Sequence, residues 1–274
     1  MLKRSITSVF IVVVMLGSFL LREFVDYRLF NILLYAFALL GTFEIVRAFE
    51  GKINLYLKCV VWAYALTLTP VATFLGENAA MILSFAVAVL TISALVVEFG
   101  HTTLENVGYG LFALFYPTGL LYAMIRINAL ADKGFIPLVL LFVTTMLADV
   151  GAYLVGSLIR GAKLSPEISP KKTISGFIGG LVFSAIGAVL VWLVFDAAKE
   201  ALVSSPVEWL VYAAFGIACA VVSTFGDLVE GGVKRKLGIK DMGNLLPGHG
   251  GMLDRIDSTM FNAAFVCLIF TVVF

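Results

Sequence analysis

Nine long apolar runs dominate this sequence and restrict what the chain can fold into. They lie near residues 5–21, 29–49, 53–75, 79–99, 108–126, 135–159, 174–195, 207–230 and 257–274. Each is long enough to cross a hydrocarbon core of about 30 Å as a helix. Hydrophobic residues make up 61% of the chain and charged residues only 14%. The sequence therefore predicts an all-α, polytopic integral membrane helical bundle with about nine transmembrane helices, forming one domain over residues 1–274.

The distribution of basic residues predicts the orientation in the membrane. If the N-terminus is cytoplasmic, 14 of the 19 Lys and Arg residues lie on the cytoplasmic side, as the positive-inside rule favours. The polar loops 160–173 and 231–256 then also face the cytoplasm. We expect residues 1–134 to supply N-terminal spans, and residues 135–274 to supply the catalytic spans and loops. The net charge of only +1 gives no reason to expect a nucleic-acid partner.

Asp149 lies inside the apolar segment TTMLADVGAYLVG. A carboxylate at the centre of a bilayer costs about 2.5–3.5 kcal/mol, so it needs a partner, a cavity or a cation. Helical spacing places Thr145, Asp149, Tyr153 and Gly156 on one face. The segment therefore indicates either a functional carboxylate or a carboxyl group that bonds to a neighbouring helix. Nearby, the pairs Ala152 with Gly156 and Gly176 with Gly180 predict close helix packing.

Two more acidic helix faces flank a basic, glycine-rich loop. They comprise Ser223, Asp227 and Glu230, and Asp254, Asp257 and Ser258. Carboxylates near Lys and Arg are typical of sites where Mg²⁺ is bound jointly by protein and by substrate phosphates. The alternative is structural, with the acids only neutralising Lys234, Arg235 and Lys240.

Both polar loops carry candidate phosphate-binding groups. In KLSPEISPKKT, prolines predict an extended chain, and Lys171 and Lys172 stand at the depth of lipid phosphates. An ordinary basic anchor would explain these two lysines equally well. In GHGGMLDR, flexible glycines and the amides of a helix N-terminus suit an anion. His249 could exchange a proton near neutral pH.

The segments KR at 234–235, KD at 240–241, LPGHGG at 246–251 and DRID at 254–257 together resemble the signature of phosphatidate cytidylyltransferases, also called CDP-diacylglycerol synthases. The upstream segments DVGAY at 149–153, SPKKT at 169–173 and GDLVE at 226–230 are similar to other motifs of that family. The resemblance covers roughly the C-terminal half of the chain. Gly231 stands where the signature usually has serine, and Ser175 stands where an acidic residue is common, so the sequence departs from the family pattern at these two positions.

The resemblance implies that the chain joins CTP to phosphatidate, giving CDP-diacylglycerol and pyrophosphate. It implies catalytic roles for Asp227, Asp254, Lys240 and His249. It implies substrate binding by Lys171, Lys172, Ser169, Thr173, Tyr153, Lys234, Arg235, Asp241, Gly250, Gly251 and Arg255. It implies Mg²⁺, as two cations, on Asp227 and Asp254, completed or supported by Asp149 or Asp257.

The expected location is a bacterial plasma membrane, as a multi-pass protein with the site facing the cytoplasm, and a homodimer is compatible with such a bundle. Two alternatives remain at this point. A CTP-dependent kinase of a polyprenol or similar lipid alcohol would use the same nucleotide but transfer the γ-phosphate. A secondary transporter would also keep intramembrane carboxylates, although no inverted repeat is visible.

Overall fold

The computed structural model describes residues 2–130, 134–197, 208–245 and 250–272. Its helices in chain order are α1 Leu2–Phe24, α2 Arg28–Ala48, α3 Leu55–Phe74, α4 Glu77–Val97, α5 Leu104–Ala113, α6 Leu120–Asn128, α7 Phe135–Ile159, α8 Ile174–Ala197, α9 Glu208–Leu237 and α10 Leu253–Val272. A π-helical segment, Leu114–Gly119, joins α5 to α6, and the backbone leaves helical geometry within it at Tyr116. Two short antiparallel strands, β1 Lys163–Ser165 and β2 Ser169–Thr173, form a hairpin.

The helices follow the predicted spans closely. Among the described residues, seven helical segments are long and apolar enough to cross a membrane: Arg28–Ala48, Leu55–Phe74, Glu77–Val97, Leu104–Asn128, Phe135–Ile159, Ile174–Phe195 and Glu208–Leu237. The prediction of an all-α, polytopic membrane protein is therefore confirmed. α1 and α10 are not among these seven, so the total of nine spans and the cytoplasmic N-terminus stay predictions.

Both predicted loops contain regular structure. Within 160–173 the chain forms the β1–β2 hairpin, because its extended segments pair with each other. Within 231–256 the first residues continue α9 to Leu237, seven residues beyond the predicted end of the eighth span. The extension is supported by an i,i+4 ion pair between Lys234 Nζ and Glu230 Oε1 at 3.1 Å.

The chain divides into two compact units. The first contains Met1–Ala131 and Lys240–Ile256, and the second contains Asp132–Ile239 and Asp257–Phe274. The segment Lys240–Ile256, which the sequence assigns to the catalytic half, thus packs with the N-terminal helices. The prediction of a single domain stays a prediction.

In the first unit, α2 packs against α1, α3 and α6. Its buried side chains include Phe30, Leu34 and Ile45. Gly41 allows a close approach, since a Cβ atom there would lie 2.7 Å from Pro117 and 3.0 Å from the Leu253 side chain. α2 is thereby held against both the π-helical segment and the first residue of α10.

In the second unit, α7 and α8 pack through glycines. A Cβ atom on Gly151 would lie 2.6 Å from the Phe183 side chain, and one on Gly176 would lie 2.7 Å from the carbonyl oxygen of Ala152. A Cβ atom on Gly180 would lie 3.0 Å from a backbone oxygen of α7. The predicted small-residue packing of these helices is therefore confirmed, and it brings their backbones together beside the hairpin.

Candidate functional site

A cavity of about 370 Å³ lies in the second unit among α7, the hairpin, α8 and α9. Six of the predicted site residues line it: Asp149, Tyr153, Lys171, Lys172, Thr173 and Asp227. The rest of the lining is mostly small or apolar, as is common where a few polar groups orient a ligand. Residues that are far apart in sequence are thus brought together in one cavity.

The charged centre of this cavity is an ion pair between Lys172 on β2 and Asp227 on α9. Both side chains keep access to the cavity, with 30% and 24% of their surface exposed. Lys171, the preceding residue of β2, is exposed. The hairpin therefore presents one lysine paired with an acid and a second lysine at the surface, which together favour binding of an anion.

The hairpin is fixed at both ends. Thr173 Oγ1 accepts a hydrogen bond from the Gly176 backbone N–H at 3.1 Å and so caps the first turn of α8. The Ser175 hydroxyl donates to the carbonyl oxygen of Arg160, the residue that ends α7. A carboxylate at position 175 could not donate this hydrogen bond, so serine has a structural use here.

Near the tip of the hairpin, Arg235 Nε of α9 donates to the Ile168 carbonyl oxygen at 3.2 Å. A Cβ atom on Gly231 would lie 3.0 Å from Ile168 Cγ2. The glycine that replaces the usual serine therefore lets the hairpin pack closely on α9. Arg235 holds the hairpin in this structure, and its contact with substrate stays a prediction.

Three carboxyl groups meet beside the cavity. Asp257 of α10 lies within hydrogen-bonding reach of the carboxyl groups of Asp227 and Glu230. Carboxylates this close repel each other unless a proton or a cation is shared between them. Asp227 also pairs with Lys172, and Glu230 with Lys234. In the described ranges, no group of three or more His, Cys, Asp and Glu side chains has a metal-binding arrangement.

The segment 240–256 lies in the first unit and is organised by Asp254. Its Oδ2 atom accepts hydrogen bonds from the backbone N–H groups of Met242 at 3.0 Å and Gly251 at 2.8 Å. Gly250 has a φ angle of +86°, which a residue with a side chain rarely adopts. Asp254 therefore closes the turn that leads into α10. The basic residues Lys240 and Arg255 of this segment are exposed.

Glu44 on α2 contacts the signature segment in a way that the sequence reasoning did not predict. Its two carboxylate oxygens accept hydrogen bonds from the backbone N–H groups of Met252 and Leu253, each at 2.8 Å. The residue is only 1% exposed. A signal was present, because an ionisable residue within an apolar span is a functional candidate by default.

These contacts change the interpretation of the α10 N-terminus. The sequence predicts that the amides of this helix N-terminus, near Gly250 and Gly251, suit an anion. The amide of Gly251 instead donates to Asp254, and the next two amides donate to Glu44. Protein carboxylates thus occupy the positions at which an external anion would bind.

The predicted site residues are divided between the two units. The second unit contains Asp149, Tyr153, Ser169, Lys171, Lys172, Thr173, Asp227, Lys234, Arg235 and Asp257, and the first unit contains Lys240, Asp241, Gly250, Gly251, Asp254 and Arg255. His249 lies outside the described residues. Thr145, which helical spacing places on the face of Asp149, accepts a hydrogen bond at 2.7 Å from the Asn262 side chain.

The spans, the cavity and the paired basic and acidic groups define a polytopic membrane protein with a charged candidate site. The chain belongs to the cytidylyltransferase family, which it matches over residues 2–273. Members of such a family are nucleotidyltransferases, so the predicted enzyme class is confirmed.

Three relatives match between 44% and 97% of this chain. The phosphatidate cytidylyltransferase of Bacillus subtilis is 32% identical over 97% of this chain and 96% of its own length. That of Brucella suis is 35% identical over 76% of this chain and 71% of its own length. That of Staphylococcus saprophyticus is 47% identical over 44% of this chain and 43% of its own length.

Proposed function

We propose that this chain is a phosphatidate cytidylyltransferase, which converts CTP and phosphatidate to CDP-diacylglycerol and pyrophosphate. The observation that carries the proposal is the cavity in which Lys171, Lys172 and Asp227 meet. The full-length similarity to the Bacillus subtilis enzyme of that name supports the same substrates. Neither a lipid kinase nor a transporter is favoured by the names of these relatives.

The reaction needs no nucleophile from the protein. An ionised phosphate oxygen of phosphatidate forms a bond to the α-phosphorus of CTP. The bond from that phosphorus to the oxygen bridging the β-phosphate breaks, and its electron pair leaves with pyrophosphate. The main barrier is the approach of two polyanions, so catalysis requires positive groups that offset charge at the α-phosphate.

The cavity fits the lipid headgroup rather than the whole lipid. Its volume of about 370 Å³ is at the small end of ligand pockets. On α7, Leu158 is 80% exposed and Ile159 is 70% exposed. Acyl chains that remain in the bilayer can lie along this apolar surface while the phosphate enters the cavity. There the phosphate exchanges with Asp227 as the partner of Lys172.

Mg²⁺ is proposed as the cofactor, as two cations. Asp227 and Asp257 supply adjacent oxygen ligands of the type that Mg²⁺ prefers, with Glu230 beside them. When bound, Mg²⁺ would offset the negative charge of the phosphates. Release of Asp227 from Lys172 frees its carboxylate for this role. Asp149 and Asp254 stay predicted ligands.

The protein is a multi-pass membrane protein, and we propose the bacterial plasma membrane as its location. A site at the cytoplasmic face would receive CTP from the cytoplasm and phosphatidate from the bilayer. The basic residues of the hairpin and of the α9 C-terminus support this orientation. A homodimer is proposed on the sequence argument alone.

The test follows phosphorus from CTP. Purified protein in detergent is given phosphatidate, Mg²⁺ and CTP labelled at either the α- or the γ-phosphate. We expect α-label in the lipid and release of pyrophosphate. Transfer of γ-label to an added polyprenol would show a lipid kinase instead. The absence of transfer to any lipid would contradict the proposed activity and favour a transporter.

A pair of lysine variants ties this activity to the cavity. Lys171→Ala should slow transfer of the α-label, because Lys171 lines the cavity. Lys163→Ala is the matched control, since Lys163 lies on β1 of the same hairpin and outside the cavity lining. Equal loss in both variants would contradict the assignment of the cavity.

A further inference from the structure

We propose that Glu44 is a positioning residue that holds the turn before α10 in its active geometry. The proposal concerns the described residues 242–245 and 250–254, which contain Asp254 and part of the signature. Its activity readout rests on the proposed function, but its structural readout does not. Glu44 lies in a part of the chain where the resemblance assigned no role.

The contact joins distant parts of the sequence. Glu44 Oε1 accepts from the Met252 N–H, and Oε2 accepts from the Leu253 N–H, so each oxygen has its own donor. The two bonds span 208 and 209 residues. An anionic acceptor at this end of a helix also interacts favourably with the helix dipole. A side chain of the second predicted span therefore sets where α10 begins.

Two glycines make room for the carboxylate. A Cβ atom on Gly251 would lie 2.6 Å from both Glu44 oxygens, and one on Gly243 would overlap the same carboxylate. Neither glycine has the positive φ angle that would demand glycine for backbone reasons. The turn is therefore shaped around Glu44 from two sides, and these two glycines are required by that side chain.

Asp254 depends on the same turn. Three consecutive amides are shared between two carboxylates, since Gly251 donates to Asp254 while Met252 and Leu253 donate to Glu44. Asp254 also accepts from Met242. Movement of Glu44 would release two of these amides and with them the segment that orients Asp254.

A structural cap alone would not need a buried carboxylate. Serine, threonine or asparagine from the local chain caps a helix without burying a charge, and burying a charge is costly. Glu44 instead reaches this turn from another helix. It thereby fixes the turn to α2, which Gly41 already holds against Leu253.

The first test compares Glu44→Gln with wild type by amide hydrogen exchange and by steady-state kinetics. Glutamine offers one acceptor oxygen and sets its NH₂ group against a backbone N–H. We expect exchange of the 252 and 253 amides to rise by about tenfold or more. The value of kcat/KM for CTP should fall by about tenfold or more, because Asp254 loses its orientation.

The matched control is Glu50→Gln. Glu50 lies in the same unit, but its side chain is 71% exposed and pairs with Lys58 at the surface. An exposed pair of this kind contributes little, so exchange and kcat/KM should both remain within about twofold of wild type. Comparing the two Glu→Gln variants therefore distinguishes the effect of losing the buried Glu44 carboxylate from the effect of losing any carboxylate.

A second variant keeps Glu44 itself. Gly243→Ala adds a methyl group against the carboxylate, and should raise exchange at the same amides. Gly108→Ala is its control, because a Cβ atom at Gly108 meets nothing within 4 Å. This pair decides the question if Glu44→Gln fails to fold.

Unchanged amide exchange at residues 252 and 253 in both Glu44→Gln and Gly243→Ala would overturn the proposal that Glu44 holds this turn. Lost activity with unchanged exchange would show that Glu44 acts directly rather than by positioning. Faster exchange with wild-type kinetics would show that the turn is not needed for turnover. If wild type itself transfers no cytidylyl group, the proposed function fails, while the exchange data still decide whether Glu44 holds the turn.

Discussion

Asp254→Asn separates the two roles that meet in the Asp254 side chain. In the structure, its Oδ2 atom accepts two backbone hydrogen bonds, and Asp254 is also a predicted ligand of Mg²⁺. Asparagine keeps an acceptor oxygen of nearly the same size and position but removes the charge. Alanine removes both the charge and the acceptor.

The structure fixes the expected stability changes. In Asp254→Asn, two charge-assisted hydrogen bonds of about 1.5–3 kcal/mol each become neutral ones of about 0.5–1.5 kcal/mol, so stability falls by about 2–3 kcal/mol. In Asp254→Ala, the donors of Met242 and Gly251 lose their partner. Both residues are buried, so the loss is about 2–6 kcal/mol.

The two variants should differ in stability but not in activity. Loss of a carboxylate that holds a cation against the reacting phosphates should cost about 10²–10³-fold in kcat, as loss of one stabilising group typically does, so both variants should be nearly inactive. The assays are thermal unfolding in detergent and transfer of α-label from CTP to lipid. Asp26→Asn is the control, because its exposed carboxylate accepts one backbone hydrogen bond from Arg28 at 2.7 Å and has no proposed part in catalysis.

Two results would refute this reasoning. Wild-type turnover by a folded Asp254→Asn protein would remove Asp254 from the metal centre. Equal destabilisation by Asn and Ala would show that the two backbone hydrogen bonds do not hold the turn.

The remaining predictions address packing, charge and metal. Gly179→Ala should lower the stability measured by thermal unfolding by about 1–3 kcal/mol, because its Cβ atom would meet Val155. The control Gly232→Ala should not lower the stability, since a Cβ atom there lies in open space on α9. Equal effects of the two variants would contradict the packing argument. Lys172→Met should reduce kcat/KM for phosphatidate by about 10- to 150-fold, and an unchanged value would show that the pair with Asp227 is only structural. Chelation by EDTA should stop transfer of the α-label and added Mg²⁺ should restore it, whereas full activity in EDTA would contradict the metal proposal.

The local sequence was sufficient to predict a structural feature where a single physical requirement acts on a single segment. A helix in lipid must be apolar over the thickness of the bilayer, so the spans could be read directly, as Phe135–Ile159 illustrates. Acids within such spans stand out for the same reason, and Asp149 and Asp227 both line the cavity. Small residues at helical spacing likewise predicted the packing of α7 on α8.

The hairpin and the end of α9 depended on contacts that local pattern does not encode. Ile168 accepts from Arg235, 67 residues away, and Gly231 makes room for it. Polar residues outside the membrane fit a loop, a strand or a helix equally well by composition. The partner that each segment meets decides among them, and that partner is set only by folding.

The sequence by itself determined a membrane-spanning helical protein with acidic and basic groups suited to phosphate chemistry, because hydrophobicity and charge are properties of each segment. Only the tertiary structure decided that Lys172 pairs with Asp227, that Lys240–Ile256 packs with the N-terminal helices, and that Glu44 holds the start of α10. A hydrogen bond between residues 44 and 252 leaves no periodicity in the sequence, since it depends on the folded chain bringing α2 next to the start of α10.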